Sequence, residues 1–173
     1  MLNRAAVFFI LAVVSLLFSV KSIKFVNITG IINEYYKFLK ESKVIRLFVL
    51  FPLFLGASIG FIKQLDGELI NNLMIIVPLF MSVFFAYFTY YSDYNYSKIS
   101  DQKEYSIKKK NSEQCLIIIN YNILISIIVL ILCLINNARF IIVHQLISIM
   151  VYSLFIQVLL NLLIIIKRNF KLK

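Results

Sequence analysis

Eight carboxylates, one histidine and two cysteines are the side chains of this 173-residue chain best suited to acid–base, nucleophilic or metal chemistry. Their spacing builds none of these. The acids are Glu34, Glu41, Asp66, Glu68, Asp93, Asp101, Glu104 and Glu113, and all fall in short polar stretches between hydrophobic runs. His144 is the sole histidine and has no carboxylate near it in sequence, so neither a metal ligand set nor a catalytic triad can be assembled around it. Four glycines, none in a glycine-rich turn, leave no backbone cradle for a phosphate. Cys115 and Cys133 would lie about 27 Å apart on one straight helix, too far for a disulfide within the chain. They read as small buried apolar residues. No catalytic, cofactor-binding or metal-binding residue is assigned, no cofactor is expected, and the chain does not read as an enzyme.

The elements that would have to position such residues are of one kind. Nearly unbroken Ile, Leu, Val, Phe and Met fill residues 45–62, 69–91, 116–135 and 140–166, and a shorter run covers 5–20. A bilayer core is about 30 Å thick and takes roughly 20 apolar residues of helix to cross. The composition, 61% hydrophobic and 15% charged with a mean hydropathy of +0.90, is far from that of a soluble domain. The expected fold is an all-α, polytopic transmembrane bundle with four or five spans and one short cytoplasmic amphipathic helix. It forms one domain over 1–173, because the polar segments 21–43 and 92–114 are too short to fold alone.

The basic residues orient the bundle. Arg4, Lys63 and Arg139 stand alone in their gaps. The alternate gaps hold Lys21, Lys24, Lys37, Lys40, Lys43 and Arg46, then Lys98, Lys103, Lys108, Lys109 and Lys110, and the tail holds Lys167, Arg168, Lys171 and Lys173. If all five runs cross, one side carries 15 basic residues and the other 3. The Lys/Arg-rich side is cytoplasmic, which predicts an inner-membrane protein with a cytoplasmic C-terminus. The run 5–20 also resembles a signal-peptide core, but Phe18-Ser19-Val20-Lys21 is a poor cleavage site, so a retained span is expected. The alternative is an interfacial or re-entrant helix, four true spans and a cytoplasmic N-terminus.

Within this frame, 27–43 reads as an amphipathic helix on the inner membrane surface or against a cytosolic partner. Its apolar face would be Ile28, Ile31, Ile32, Tyr35, Phe38 and Leu39, with Thr29 as a candidate cap. Gly56 and Gly60 form a G-x-x-x-G pair, the candidate helix-packing residues, equally suited to contact within the chain or between copies. Pro52 suggests a kink. Runs two and three are expected to form a tight hairpin across Lys63–Glu68, and runs four and five another. Tyr87, Tyr90, Tyr91, Tyr94 and Tyr96 suit the interface. Asn122, Ser126 and Cys133 share a face of run four, and Ser153, Gln157 and Asn161 a face of run five, as interhelical glue or as the lining of a polar path. No charged side chain lies deep in the four long runs, which argues against a proton- or ion-coupled transporter. Lys37, Lys40, Lys43, Lys108, Lys109, Lys110, Lys167 and Arg168 are the candidate contacts for a cytosolic partner or for lipid. Tyrosines beside lysines in 92–114 could also stack nucleic-acid bases, but a triple lysine directly before a span is what membrane anchoring predicts, so direct nucleic-acid binding is not expected.

The stretch Phe51-Pro52-Leu53-Phe54-Leu55-Gly56, then Asp66 with Leu69-Ile70-Asn71-Asn72 and an apolar run ending at Tyr91-Ser92-Asp93, resembles small multi-span proteins of bacterial anti-phage defence loci. So does the ending Asn161-Leu162-Leu163-Ile164-Ile165-Ile166-Lys167-Arg168. The nearest in kind are the membrane subunits of Kiwa systems. The resemblance covers about half the chain through hydrophobic pattern, and such proteins are described with four spans, against up to five runs here. It implies an oligomeric membrane assembly that senses or responds to infection together with a cytosolic DNA-binding partner. The first expectation is therefore a non-enzymatic, homo-oligomeric subunit of a defence complex, in contact with membrane lipids and docking a cytosolic protein on its inner face. The alternative is a pore- or channel-forming effector that depolarises the inner membrane.

Overall fold

The computed structural model describes residues 27–41, 46–93, 101–137 and 144–172. The run 5–20 and Lys43 lie outside the described residues. Among the described residues all regular structure is helical. Helix α1 spans Ile28–Glu41; a π-helical turn, Arg46–Leu50, leads into α2, Phe51–Ile62; α3 spans Gly67–Ser92, α4 Gln102–Asn137 and α5 His144–Leu172. Three helices, α3, α4 and α5, are long and apolar enough to cross a membrane. The apolar helix Leu47–Ile62 is shorter, about 24 Å at 1.5 Å per residue.

Local chemistry explains the helix ends. Asn27 caps α1, its side-chain oxygen accepting from the Gly30 N–H at 2.8 Å. Thr29, the expected cap, sits inside the first turn instead. Asp66 caps α3 in the same way, accepting from the Leu69 N–H at 2.8 Å. Pro52 falls in the first turn of α2, where no N–H is required, and the turn before it is widened to π geometry. The proline thus sits at a change of helical register, from the π turn into α2.

Packing gives the row α2–α5–α4–α3, with α1 laid on α4. Helices α4 and α5 are antiparallel and central. The short turn Lys63–Asp66 does not make a packed hairpin of α2 and α3: α2 packs along α5 and α3 along α4. The turn is held instead by Leu65, which is buried and donates its N–H to Ser148 Oγ at 3.1 Å. Helix α4 runs unbroken from the polar segment into the apolar one. Its 36 residues are about 54 Å long, so the 102–114 part of the expected loop is a rigid helical extension.

Large apolar side chains point outward along the bundle: Phe54, Phe61 and Ile62 on α2, Ile75 and Leu79 on α3, Leu134 on α4 and Leu163 on α5 are all well exposed. Such an apolar belt has lipid as its natural solvent. Charge is concentrated at one end. Lys37, Lys40, Lys103, Lys109, Lys110 and Lys167 lie at the end where α1, α3 and α5 finish and α4 begins, while the opposite turn carries Lys63, Asp66 and Glu68.

Candidate functional site

A polar core joins three helices inside this apolar bundle. Asn161 of α5 is fully buried. Its amide nitrogen donates to Asn122 Oδ1 on α4 at 2.8 Å, and its oxygen accepts from the Tyr35 hydroxyl on α1, also at 2.8 Å. One turn away on α5, Gln157 Nε2 donates to the Tyr121 hydroxyl at 3.3 Å. The Tyr35 and Tyr121 rings stack face to face, centroids 3.6 Å apart and planes 11° from parallel. The Asn122 amide nitrogen and Ser126 Oγ are buried without a hydrogen-bond partner among the described residues.

This core fixes the place of α1. The helix packs lengthwise on the bundle. It runs antiparallel to α4, with Tyr35, Phe38 and Leu39 buried against the bundle and Ile31 reaching the level of Ile123–Ile127 on α4. At the charged end Arg168 closes the seam: its guanidinium donates to Gln114 Oε1 and sits 5.2 Å from the centroid of the Phe38 ring. Arg168, expected on the partner-facing surface, is therefore half-buried and ties α5 to α1 and α4. Lys108 pairs with Glu104 at 2.9 Å, and Lys109 lies 6.0 Å over the Tyr105 ring. Lys37, Lys40, Lys109, Lys110 and Lys167 are exposed.

Gly56 and Gly60 meet α5. A Cβ on Gly56 would stand 2.5 Å from the Ser153 backbone nitrogen and 2.6 Å from its Cα; one on Gly60 would stand 2.6 Å from Ile149 Cγ1 and 3.0 Å from Ile149 Cα. The face is occupied within the chain. Ser153 donates its hydroxyl to the Ile149 carbonyl at 2.7 Å, and that hydroxyl lies directly against Gly56.

No family model, curated protein or solved structure matches this chain. What the site can do is accordingly read from geometry alone. Asn122, Tyr121, Gln157 and Asn161 of α4 and α5 hydrogen-bond to one another and, through Asn161, to Tyr35 of α1, the arrangement of structural glue. A conducting path would need the same groups turned toward water. Among the described residues no group of three or more His, Cys, Asp or Glu side chains could hold a metal ion.

Sequence reasoning located Asn122, Gln157 and Asn161 as polar positions but missed Tyr35 and Tyr121 as their partners. Both tyrosines look like ordinary apolar-face residues. The available signal was the phenol itself, which needs a partner wherever its ring is buried.

Proposed function

We propose that the chain is a non-catalytic, multi-span subunit of the bacterial inner membrane, with four or five spans and a cytoplasmic C-terminus, that docks a cytosolic protein on its charged end. One observation carries this reading: α4 continues for about 14 residues, or about 21 Å, before its apolar run begins, as a rigid helix bearing Lys103, Lys109 and Lys110. A loop needed only to anchor a span has no use for a stiff extension. A partner-binding element does, since a helix held rigid loses little entropy on binding. The lysine asymmetry supports placing that end in the cytoplasm. The resemblance to defence-system membrane subunits supplies the class of assembly, an anti-phage complex. The self-association that it implies uses a face other than Gly56–Gly60, because α5 already covers that one.

Co-purification in mild detergent with the product of the adjacent gene tests the reading. The intact chain is expected to retain that partner, and Lys103→Glu/Lys109→Glu to release it while leaving the bundle folded. A chain that purifies alone, or capture indifferent to the charge reversals, would refute it. A C-terminal green fluorescent fusion should be bright, as cytoplasmic placement requires.

A further inference from the structure

An apolar groove runs along α4 between α1 and α3. Its inner part, a cavity of about 260 Å³, is walled by Ile31 of α1 and by Phe85 and Phe88 of α3, and floored by Asn120, Leu124 and Ile127 of α4. Ile131 and Leu134 continue the same line toward the far end of α4, and both are exposed. The five α4 positions are spaced four, three, four and three, so they form one stripe about 21 Å long. Such spacing is the seam of two packed helices, and the described residues supply only one of them.

Asn120 lies six residues, about 9 Å, past Gln114, which meets Arg168 at the charged end. It is partly exposed in the groove and makes no side-chain hydrogen bond among the described residues. An amide facing hydrocarbon is costly unless another helix supplies a partner.

The described chain also starts at this groove. Ile31 forms part of the wall, and Asn27 stands about one turn further along α1, in the apolar middle of the bundle. Backbone entering a helix at that depth must be covered by protein rather than lipid. The sequence before Asn27 holds one apolar run, 5–20, whose 16 residues make a helix of about 24 Å, a match for the stripe. The six residues 21–26 can reach about 20 Å, enough to set the run alongside α4 in either direction. Within the run, Ala5, Phe8, Ala12, Ser15 and Ser19 repeat the spacing found on α4. Small residues let two backbones approach closely, and serine hydroxyls suit an unpaired amide.

We infer that the run 5–20 lies as a helix in this groove, its Ala5–Ser19 stripe against Asn120–Leu134, and completes the bundle as a fifth membrane-crossing helix. A second copy of the chain could offer a helix too, but a segment tethered by six residues has an effective concentration in the millimolar range and wins the seat. The seat depends on the membrane placement proposed above but not on the docked partner, so loss of co-purification would leave it standing.

Disulfide cross-linking in native membranes tests it, in a Cys115→Ala/Cys133→Ala background with copper phenanthroline as the oxidant. Ala12 and Ile127 are the midpoints of the two stripes, so Ala12→Cys/Ile127→Cys should close whichever way the run points, as a disulfide needs Cα atoms within about 7 Å. The product is expected to be monomeric and to lose both thiols to maleimide labelling after denaturation. Cysteine is at home in an apolar segment, so these changes do not endanger the fold. Ala12→Cys/Leu163→Cys, with the second thiol on the exposed side of α5, should keep both thiols. At the ends, one of Ser19→Cys/Asn120→Cys and Ala5→Cys/Asn120→Cys should close and not the other, since a seated helix has one direction. A dimer closed through Ile127→Cys alone would make a second copy the occupant, and two free thiols in the midpoint pair would leave the groove to lipid. Either result overturns the inference, as does equal closure of both end pairs.

Discussion

Helix α5 is gripped on two sides, and the two seams close by different means. Against α2 the closure is one of shape. Gly56 and Gly60 remove the side chains that would hold the backbones apart, and Ser153 and Ile149 fill the space. Against α4 and α1 the closure is one of polarity, through Asn161, Asn122, Gln157, Tyr35 and Tyr121. Lipid explains why both devices occur in one molecule. Apolar side chains gain little by leaving hydrocarbon for a helix interface, so association relies on close packing or on hydrogen bonds. The shape seam tolerates no added atom, whereas the polar seam loses its bonds one at a time.

The largest effect should come from the shape seam. Gly56→Leu drives a branched side chain into the Ser153 backbone and is expected to cost about 3 kcal/mol or more, read as a fall in the midpoint of denaturant unfolding in detergent. Gly67→Ala, where a Cβ meets nothing within 4 Å, is the matched control and should differ little. A tolerated Gly56→Leu would mean that α2 does not rest on α5.

Breaking the polar seam at its centre comes next. Asn161→Leu removes two hydrogen bonds and strands the Tyr35 hydroxyl and Asn122 Oδ1, for an expected loss of about 1–2 kcal/mol in the same assay. Because replacing both partners costs less than orphaning one, Asn122→Leu/Asn161→Leu should lose less than the two single changes added together. Strict additivity would show that the two amides are not coupled.

Tyr35→Phe keeps the stacked ring and removes only the hydroxyl, so about 0.5–1 kcal/mol is expected. Its clearer signature is faster hydrogen exchange of the α1 amides with α4 and α5 unchanged, since α1 is the helix that this bond holds.

The smallest effect concerns the turn at the end of the bundle opposite the charged one. The backbone bond from Leu69 holds the Asp66 carboxyl below its usual range, and Lys63, 3.6 Å away, adds to this. A depressed carboxylate stabilises the fold fully above its unfolded pKa, near pH 4, and that contribution fades as pH falls through the lower folded value. The thermal midpoint should therefore drop slightly more on acidification for the natural chain than for Asp66→Asn, whose amide caps the helix at every pH. Identical acid profiles would remove Asp66 as a source of the slope.

Much of this was legible in the residues. The apolar runs announced α3, α4 and α5, and Asn122, Gln157 and Asn161 stood out because an amide in an apolar run must find a partner. The identity of the partner did not stand out. Tyr35 lies 126 positions from Asn161, and nothing local distinguishes a tyrosine that anchors to lipid from one that crosses to another helix. The short turn Lys63–Asp66 pointed to an α2–α3 hairpin because brief loops normally join neighbours, but Leu65 and the two glycines direct α2 to α5 instead.

The sequence by itself determined that the chain is helical, apolar along four long runs and a shorter fifth, and charged mainly in alternate gaps between them. These are properties of single helices, set by run length and residue type. Only the tertiary structure decided that α1 stands against α4, that α5 and not α3 receives α2, and that Arg168 turns inward. A helix apolar on all sides carries no stripe to say which face meets protein and which meets lipid, so its neighbours are chosen by where backbones can approach and where buried polar groups find one another.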